Sequence, residues 1–175
     1  MQSEPENFQP IEMLRILAKN DVAYVLIGGL AAVLHGSPTF TNDADVCPSR
    51  NVENLHRLAR ALREMGARIR IPSEPNGLQF ACDAEMIAHV KMLNMQTDFG
   101  WLDVSIEPGG FELGYEQLRP HALIYPVEDF EVPVAALRDI IASKETANRA
   151  KDKAALPYLY ALEDELAAQE RGEER

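Results

Sequence analysis

The sequence predicts one compact domain of the α/β (α+β) class, with a mixed β-sheet, helices packed on it and a C-terminal helical part. Its 175 residues are enough for a single core of ordinary size, and 46% hydrophobic with 26% charged residues is typical of a globular protein. Apolar runs rich in β-branched residues are interspersed with stretches of helical periodicity. Because the two kinds do not alternate strictly, a mixed sheet is favoured over a doubly wound parallel one.

The first half of the chain predicts three helices and two strands, each with its own boundary signal. Pro10 opens the first helix, and Gly28-Gly29 separates an apolar strand from a buried helix. Asn51 caps the third helix, whose apolar stripe ends at Gly66. The predicted order is a helix over 11–19, a strand over 22–27, a helix over 30–34, a strand over 39–47, and a helix with its stripe at Leu55, Leu58, Leu62 and Met65.

The second half predicts further strands followed by helices. Residues 72–77 contain proline, asparagine and glycine and predict a turn, while Asp83 can cap a short helix in the ambiguous segment that follows. We expect a core over 1–133 and a helical extension over 134–175 within the same compact unit. The predicted strands are 67–71, 90–95, 101–106, 123–125 and 130–132; a hairpin connection covers 96–100, Pro133 starts a helix to Ile141, and a longer helical stretch covers 144–168.

Charge and composition exclude several kinds of protein. A net charge of −11 and a pI near 4.8 argue against generic binding to a nucleic-acid backbone, which needs a basic surface. Basic residues cluster locally, so a local anion site stays open. The chain has no apolar run of membrane-spanning length, its N-terminal segment is neither basic nor apolar, and Cys47 and Cys82 lack metal or redox spacing. We therefore expect a cytoplasmic protein with no signal peptide, no membrane span and free thiols.

Asp43 and Asp45 form an Asp-x-Asp pair in the second predicted strand. Residues two apart on a strand point to the same side, so the two carboxylates project together. Ionised carboxylates this close repel each other unless a cation lies between them. Hard oxygen ligands suit Mg²⁺ or Mn²⁺, which usually arrive with substrate phosphates. Taken alone, such a pair is more often a solvated strand end than a metal site, so its context decides.

Two further features supply that context. Gly28-Gly29 stands between a strand and a helix, where a backbone without Cβ atoms can approach a phosphate, although a tight turn explains the pair equally well. Asp103 is a single acid in the apolar segment 101–106, where an ionised group is costly unless it is paired or bound to metal. If this strand neighbours the Asp-x-Asp strand, three carboxylates share one face of the sheet.

Together these segments resemble a known family. Residues 25–36 (VLIGGLAAVLHG), residues 41–46 (TNDADV) and Asp103 resemble the nucleotidyltransferase superfamily related to DNA polymerase β. They are most similar to the AbiEii/AbiGii-type toxin nucleotidyltransferases and their small stand-alone relatives. The resemblance covers roughly residues 24–162. The helix that these groups carry downstream is matched by Ser143-Lys144, Arg149 and Lys151-Asp152.

The resemblance implies transfer of a nucleoside monophosphate from an NTP to a hydroxyl group of an RNA such as tRNA, a protein or a small molecule. It implies that Mg²⁺ or Mn²⁺ is held by three catalytic carboxylates, those of Asp43, Asp45 and Asp103. A toxin-like member would also have an antitoxin protein as partner. The residues implied in binding the nucleotide are Gly28, Gly29 and Thr41 at the turn and Lys144, Arg149 and Lys151 on the helical side.

Other interpretations stay open at this point. Relatives often have an arginine at the position of Thr39, and its loss favours, as an alternative, a weakly active or non-catalytic nucleotide-binding module that acts through a partner protein. The downstream basic residues are equally consistent with a solvated helix face. Asp152 would then pair with Arg149 or Lys151 at helical spacing, a contact worth about 0.3–0.5 kcal/mol if it is exposed. His35 is interpreted as a helix-end residue rather than a base, and Trp101 as a packing residue.

Overall fold

The computed structural model describes residues 7–173, which form seven α-helices, one 3₁₀ turn (Arg119–His121) and eight strands. Residues 1–6, in the segment predicted to lack a signal peptide, and residues 174–175, at the end of the predicted extension, lie outside the described residues. The helices are α1 (Pro10–Lys19), α2 (Gly28–Leu34), α3 (Val52–Glu64), α4 (Ala84–Ala88), α5 (Tyr115–Leu118), α6 (Leu137–Ala147) and α7 (Ala150–Glu173). The strands are β1 (Tyr24–Ile27), β2 (Asp43–Pro48), β3 (Arg68–Ile71), β4 (Glu74–Leu78), β5 (Met92–Thr97), β6 (Gly100–Ser105), β7 (Leu123–Val127) and β8 (Phe130–Val134).

The described strands form one mixed sheet in the order β4-β3-β5-β6-β2-β1-β8-β7. The pairs β2–β6 and β1–β8 are parallel, and the other pairs are antiparallel. This confirms the predicted mixed sheet, and the hairpins β5–β6 and β7–β8 confirm the two predicted strand pairs. The two parallel pairs join strands that lie far apart in the sequence, and they build the centre of the sheet.

The side chains of strand β2 lie alternately on a buried face of the sheet and on a more open one. Ala44 and Val46 are fully buried, whereas Asp43 and Asp45, which alternate with them, are half-buried. Asp103 on β6 likewise alternates with buried apolar neighbours. Side chains two residues apart on a strand share a face, so the acids of both strands lie on the open face.

Two predicted helix starts are confirmed by their caps. The Asn51 side chain accepts a hydrogen bond from the backbone N–H of Glu53 at 2.9 Å, and the predicted apolar stripe of α3 is buried in the core. The Asp83 side chain accepts one from the N–H of Met86 at 2.8 Å at the start of α4. Each cap satisfies a backbone N–H that the first helical turn leaves free, and such a bond depends on local sequence alone.

Two predicted boundaries in the first part of the sheet are wrong. The turn over 72–77 is largely strand β4, which lies at the sheet edge. An edge strand pairs on one side only, so it tolerates Pro75, which has no N–H to donate. The strand predicted from residue 39 begins at Asp43, because the preceding residues form a loop whose Thr41 hydroxyl bonds back to that aspartate.

The C-terminal helical part begins later than predicted and is broken once. Pro133 does not start a helix but lies in β8, because its neighbours Val132 and Val134 are fully buried and maintain the alternation of the strand. The helical stretch over 144–168 is divided at Asn148, whose left-handed φ of 52° ends α6. Helix α7 then packs against α6, which also contacts α2. The division into a core and an extension at residue 133 stays a prediction.

Candidate active site

The side chains of Asp43, Asp45 and Asp103 lie together on the open face of the sheet. Strands β2 and β6 pair with Asp45 in register with Asp103 and Asp43 in register with Trp101. One carboxylate oxygen of each aspartate lies within 4.8 Å of those of the other two. The structure therefore makes the two acid-bearing strands neighbours, and their pairing creates a cluster of three acids, called the triad below.

The negative charge of the triad is compensated only in part by the surrounding protein. Burial, together with the charges of Asp43 and Asp103, raises the pKa of Asp45 to about 7. Burial also raises the pKa of Asp103, against the opposing effect of the Arg70 guanidinium. Clustered carboxylates favour a cation that takes oxygen ligands, so this donor set fits Mg²⁺ or Mn²⁺.

Gly28 and Gly29 make room for the side chains of the β2 segment. Gly28 has a left-handed φ of 69°, and a Cβ atom on it would overlap the Asp45 carboxylate. A Cβ atom on Gly29 would lie 2.7 Å from the hydroxyl oxygen of Thr41. The glycine pair thus allows the strand-to-helix turn to approach β2 closely, while its contact with phosphates stays a prediction.

Thr41 restrains one of the three acids. Its hydroxyl donates to Oδ1 of Asp43 at 2.8 Å and lies 3.1 Å from the backbone carbonyl oxygen of the same residue. A hydroxyl has a single hydrogen, so the shorter contact, to the charged oxygen, is the stronger one. Thr41 therefore orients the Asp43 carboxylate within the triad, and its contact with nucleotide stays a prediction.

Asp152 fixes two of the predicted basic residues at the junction of α6 and α7. Its fully buried carboxylate accepts hydrogen bonds from Nε of Arg149 at 2.6 Å and from Nζ of Lys144 at 3.4 Å. The backbone N–H of Arg149 donates to it as well, at 3.3 Å. The predicted pairing of Asp152 with Arg149 is therefore confirmed. The second cation is Lys144 rather than Lys151, and the carboxylate is shielded from water rather than exposed.

The basic residues of α6 and α7 act electrostatically on the triad. The positive charges of Lys151 and Lys144 lower the pKa of the Asp45 carboxyl and so oppose part of the effect of burial. Lys151 has the same influence on Asp103, and its own side chain is exposed. Acids on the sheet thus lie within electrostatic range of cations on the adjoining helices.

Arg70 is a site residue that sequence reasoning missed. It lies on β3, and its Nη2 donates to both carboxylate oxygens of Asp103, at 3.0 and 3.2 Å. Its guanidinium carbon also lies 4.3 Å from the centroid of the Trp101 ring, which is a cation–π contact. The alternation Arg68-Ile69-Arg70-Ile71 predicts both arginines on one face of a strand, but no local signal indicates that this strand lies near β6.

His35 and Thr39 are held by bonds within the fold. His35 caps the end of α2 and is buried, with Nε2 at 2.8 Å from the carbonyl oxygen of Ala135 and Nδ1 at 3.0 Å from the Tyr125 hydroxyl. This confirms its interpretation as a helix-end residue. The Thr39 hydroxyl lies 2.9 Å from that of Ser37, so this position holds a short, neutral side chain.

Comparison with solved structures identifies the fold. No model of a known protein family matches this chain, and no curated protein matches it. The lincosamide antibiotic adenylyltransferase LnuA, in its lincomycin-bound form, matches with a TM-score of 0.60 at 12% identity, over 90% of this chain and 99% of that one. The antibiotic-resistance factor ANT(2'')-Ia matches with a TM-score of 0.51 at 12% identity, over 93% of this chain and 91% of that one. This chain therefore has the nucleotidyltransferase fold.

The match confirms the fold that the resemblance in sequence implied. The closer resemblance to the AbiEii/AbiGii-type proteins stays a prediction. Across residues 7–173, none of the helices combines the length and the apolar character that crossing a bilayer requires.

Proposed function

We propose that this protein is a metal-dependent nucleotidyltransferase that moves a nucleoside monophosphate from an NTP to a hydroxyl group of a small molecule. The observation that carries the proposal is the triad of Asp43, Asp45 and Asp103, whose oxygens lie within 4.8 Å of one another near cationic side chains. Carboxylates at this spacing suit a divalent cation, and the neighbouring cations match the negative charge of a triphosphate.

Asp43, Asp45 and Asp103 are the residues that would hold Mg²⁺ or Mn²⁺. A bound divalent cation would supply positive charge at the attacking and leaving oxygens of the transfer reaction. Burial, and after it the charges of Asp43 and Asp103, raises the pKa of Asp45, and a cation bound beside the three carboxylates would favour its ionised form. Thr41 would keep the Asp43 carboxylate in place, and the Gly28-Gly29 backbone would approach the phosphates beside Asp45.

The remaining residues act on the substrates. In the proposed reaction, the acceptor oxygen forms a bond to the α-phosphorus while the bond from that phosphorus to the bridging oxygen breaks, and pyrophosphate leaves in line. Lys144, Arg149 and Lys151 neutralise the triphosphate, the first two held in position by Asp152. The proton of the acceptor hydroxyl passes to the carboxylate of Asp103.

A small-molecule acceptor is favoured over RNA for two reasons. A net charge of −11 works against binding a polyanion. The two proteins with similar structures are both connected with antibiotics, which are small molecules: one is a lincosamide antibiotic adenylyltransferase bound to lincomycin, and the other is an antibiotic-resistance factor. A protein acceptor, a toxin-like action on tRNA, and an antitoxin partner stay predictions.

Nucleotide binding is the first test of the proposal. Isothermal titration calorimetry would compare the wild type with Asp43→Ala, using non-hydrolysable NTP analogues in Mg²⁺ and in EDTA. We expect Mg²⁺-dependent binding in the wild type and its loss in Asp43→Ala. Asp129→Ala is the matched control, because Asp129 is 78% exposed in the turn between β7 and β8 and pairs with Arg15. Absence of nucleotide binding in all three proteins would overturn the proposal.

Group transfer is the second test. The wild type would be incubated with NTPs labelled at the α-phosphate and with a panel of hydroxyl-bearing small molecules, RNA and cell lysate. Label on a small molecule supports the proposed acceptor class. Label on RNA or on protein instead would support nucleotidyl transfer but would show that the acceptor is not a small molecule.

A second candidate function is a weakly active or non-catalytic nucleotide-binding module that acts through a partner protein. The observation in its favour is the neutral Thr39, bonded to Ser37 where relatives often have an arginine. A module of this kind would bind NTP with Mg²⁺ but would leave every acceptor unlabelled. A labelled product formed by the wild type, and not by Asp45→Asn, would exclude it.

A further inference from the structure

Arg70 reaches the third carboxylate of the triad across an intervening strand. Arg70 lies on β3 and Asp103 on β6, with β5 between them. The guanidinium nevertheless contacts both oxygens of Asp103, at 3.0 and 3.2 Å. Within the part of the chain that the structure describes, this is the one ion pair that involves a member of the triad.

Trp101 holds the guanidinium in place. The centroid of its ring lies 4.3 Å from the guanidinium carbon, and the side chains of Arg70 and Asp103 are only 14% and 16% exposed. Nη1 of Arg70 is buried and has no hydrogen-bond partner among residues 7–173. Nε of Arg68 is likewise buried without a partner among these residues, so the feature peculiar to Arg70 is its bond to a member of the triad.

Arg68 provides an internal comparison. It lies two residues before Arg70, on the same face of β3. Its guanidinium pairs with Asp98 at 3.3 Å, and Asp98 is 60% exposed in the turn between β5 and β6. The two arginines therefore share a strand and a face and differ in whether their partner belongs to the triad.

We propose that Arg70 is a positioning residue for Asp103. It keeps the carboxylate in the orientation that group transfer requires, and its positive charge lowers the affinity of the triad for the metal ion. The inference rests on the proposed function. The guanidinium holds both oxygens of Asp103 in one orientation, and its charge offsets one of three negative charges at the site. The triad consequently binds its cation less tightly than three free carboxylates would, and Asp103 stays oriented toward the reacting hydroxyl.

Loss of Arg70 therefore has two effects of opposite sign. Metal binding tightens, because a positive charge disappears beside the ligands. Group transfer slows, because the Asp103 carboxylate is no longer held. If Arg70 served only the stability of the sheet, its loss would lower activity without tightening metal binding. A titration with metal therefore distinguishes a positioning role from a purely structural one.

The probe is Mn²⁺ alone, titrated into the protein while free Mn²⁺ is followed by electron paramagnetic resonance; transfer is measured separately. We expect Arg70→Ala to bind Mn²⁺ about tenfold more tightly than the wild type. Arg70→Lys retains the charge but lacks the planar guanidinium that lies over the Trp101 ring, so it is expected to restore wild-type Mn²⁺ affinity while kcat stays lower by about tenfold. Arg68→Ala is the matched control and is expected to leave both quantities unchanged.

Each outcome decides the question. Unchanged or weaker Mn²⁺ binding in a folded Arg70→Ala protein overturns the inference and leaves the proposed function standing. If Arg70→Ala does not fold, Arg70→Gln replaces it, because glutamine retains an N–H donor toward Asp103 without the charge; unchanged affinity in that variant overturns the inference equally. If the wild-type protein binds no Mn²⁺ alone, the titrations are made with a non-hydrolysable NTP analogue present. Absence of Mn²⁺ binding under that condition as well overturns the proposed function itself, and this inference with it.

Discussion

Asp45 and Asp103 are register partners on the parallel strands β2 and β6, and this pairing creates the carboxylate cluster. Backbones paired in this way lie about 4.8 Å apart, so both side chains occupy one small patch of the sheet face. Asp43, two residues before Asp45, joins them on the same face. The crowding of three negative charges, and the cations placed around them, determine the behaviour that can be tested.

Substitution of Gly28 is expected to disrupt the triad as well as the backbone. In Gly28→Ala, the new Cβ atom would overlap the Asp45 carboxylate, and a residue with φ of 69° would be strained by about 1–3 kcal/mol. We expect loss of both stability and Mn²⁺ affinity, measured by thermal unfolding and by Mn²⁺ titration.

Gly36→Ala is the control for that experiment. Gly36 has a comparable left-handed φ of 100°, but the nearest atom to its Cβ position is a Leu162 methyl carbon at 3.8 Å. This variant should therefore lose stability and keep its metal affinity. Equal loss of metal affinity in both variants would show that backbone strain, rather than displacement of the Asp45 carboxylate, causes the effect.

Without divalent cations, the protein is expected to lose stability as the pH rises. The pKa of Asp45 is raised to about 7 in the folded protein, by burial and then by its acidic neighbours, above its ordinary value of 3.8. The folded state therefore retains a proton that the unfolded state releases. The stability from this proton is fully present below pH 3.8 and is lost as the pH rises through about 7.

Asp45→Asn removes this dependence. In EDTA, we expect the variant to gain stability relative to the wild type as the pH rises from about 4 to about 7, by an amount on the order of 2 kcal/mol once solvent screening is allowed for. Denaturant unfolding across this range measures the difference, with Asp98→Asn as an exposed-acid control. A stability difference that does not change with pH would contradict the prediction.

Asp152 is expected to contribute to both stability and nucleotide binding. Asp152→Ala leaves Lys144 and the Arg149 backbone N–H without their buried partner, and we expect the free energy of unfolding to fall by about 1–3 kcal/mol. The KM for NTP should rise, because the two cations lose their fixed positions. Chemical denaturation and steady-state kinetics measure the two effects.

Lys151→Ala separates the effect on nucleotide binding from the effect on stability. Lys151 is exposed, so its loss should change stability by no more than about 0.5 kcal/mol while still raising the KM for NTP. Asp164→Ala, another exposed change on α7, should alter neither quantity. If Asp152→Ala keeps the stability of the wild type, the buried carboxylate does not have the role assigned to it.

Asp103→Asn is expected to slow the chemical step most. The amide cannot accept the proton of the acceptor hydroxyl, and the loss of proton transfer typically costs about 10²–10⁴-fold in rate. Single-turnover transfer of labelled NMP measures this step, and calorimetry measures NTP affinity in the same variant. Asp98→Asn is the control, since Asp98 pairs with the other arginine of β3. A wild-type transfer rate in Asp103→Asn would remove this residue from the mechanism.

The elements that were predicted well depend on short-range signals. The Asn51 and Asp83 caps bond to a backbone N–H two or three residues away, and the β5–β6 hairpin needs only a tight turn between two apolar runs. The elements that were predicted poorly depend on position in the sheet. Strand β4 is tolerated with its proline because it lies at an edge, and Pro133 continues β8 because its neighbours are buried.

The sequence by itself determined that Asp43 and Asp45 project to one side of a strand and that Asp103 is an acid among apolar neighbours, because side-chain direction on a strand alternates with a period of two. The tertiary structure alone decided that β2 lies beside β6, that Arg70 reaches Asp103 across β5, and that Asp152 is buried between two cations. Those contacts join segments distant in the chain, or depend on how the helices pack, so they are settled by the packing of the whole core rather than by local preference.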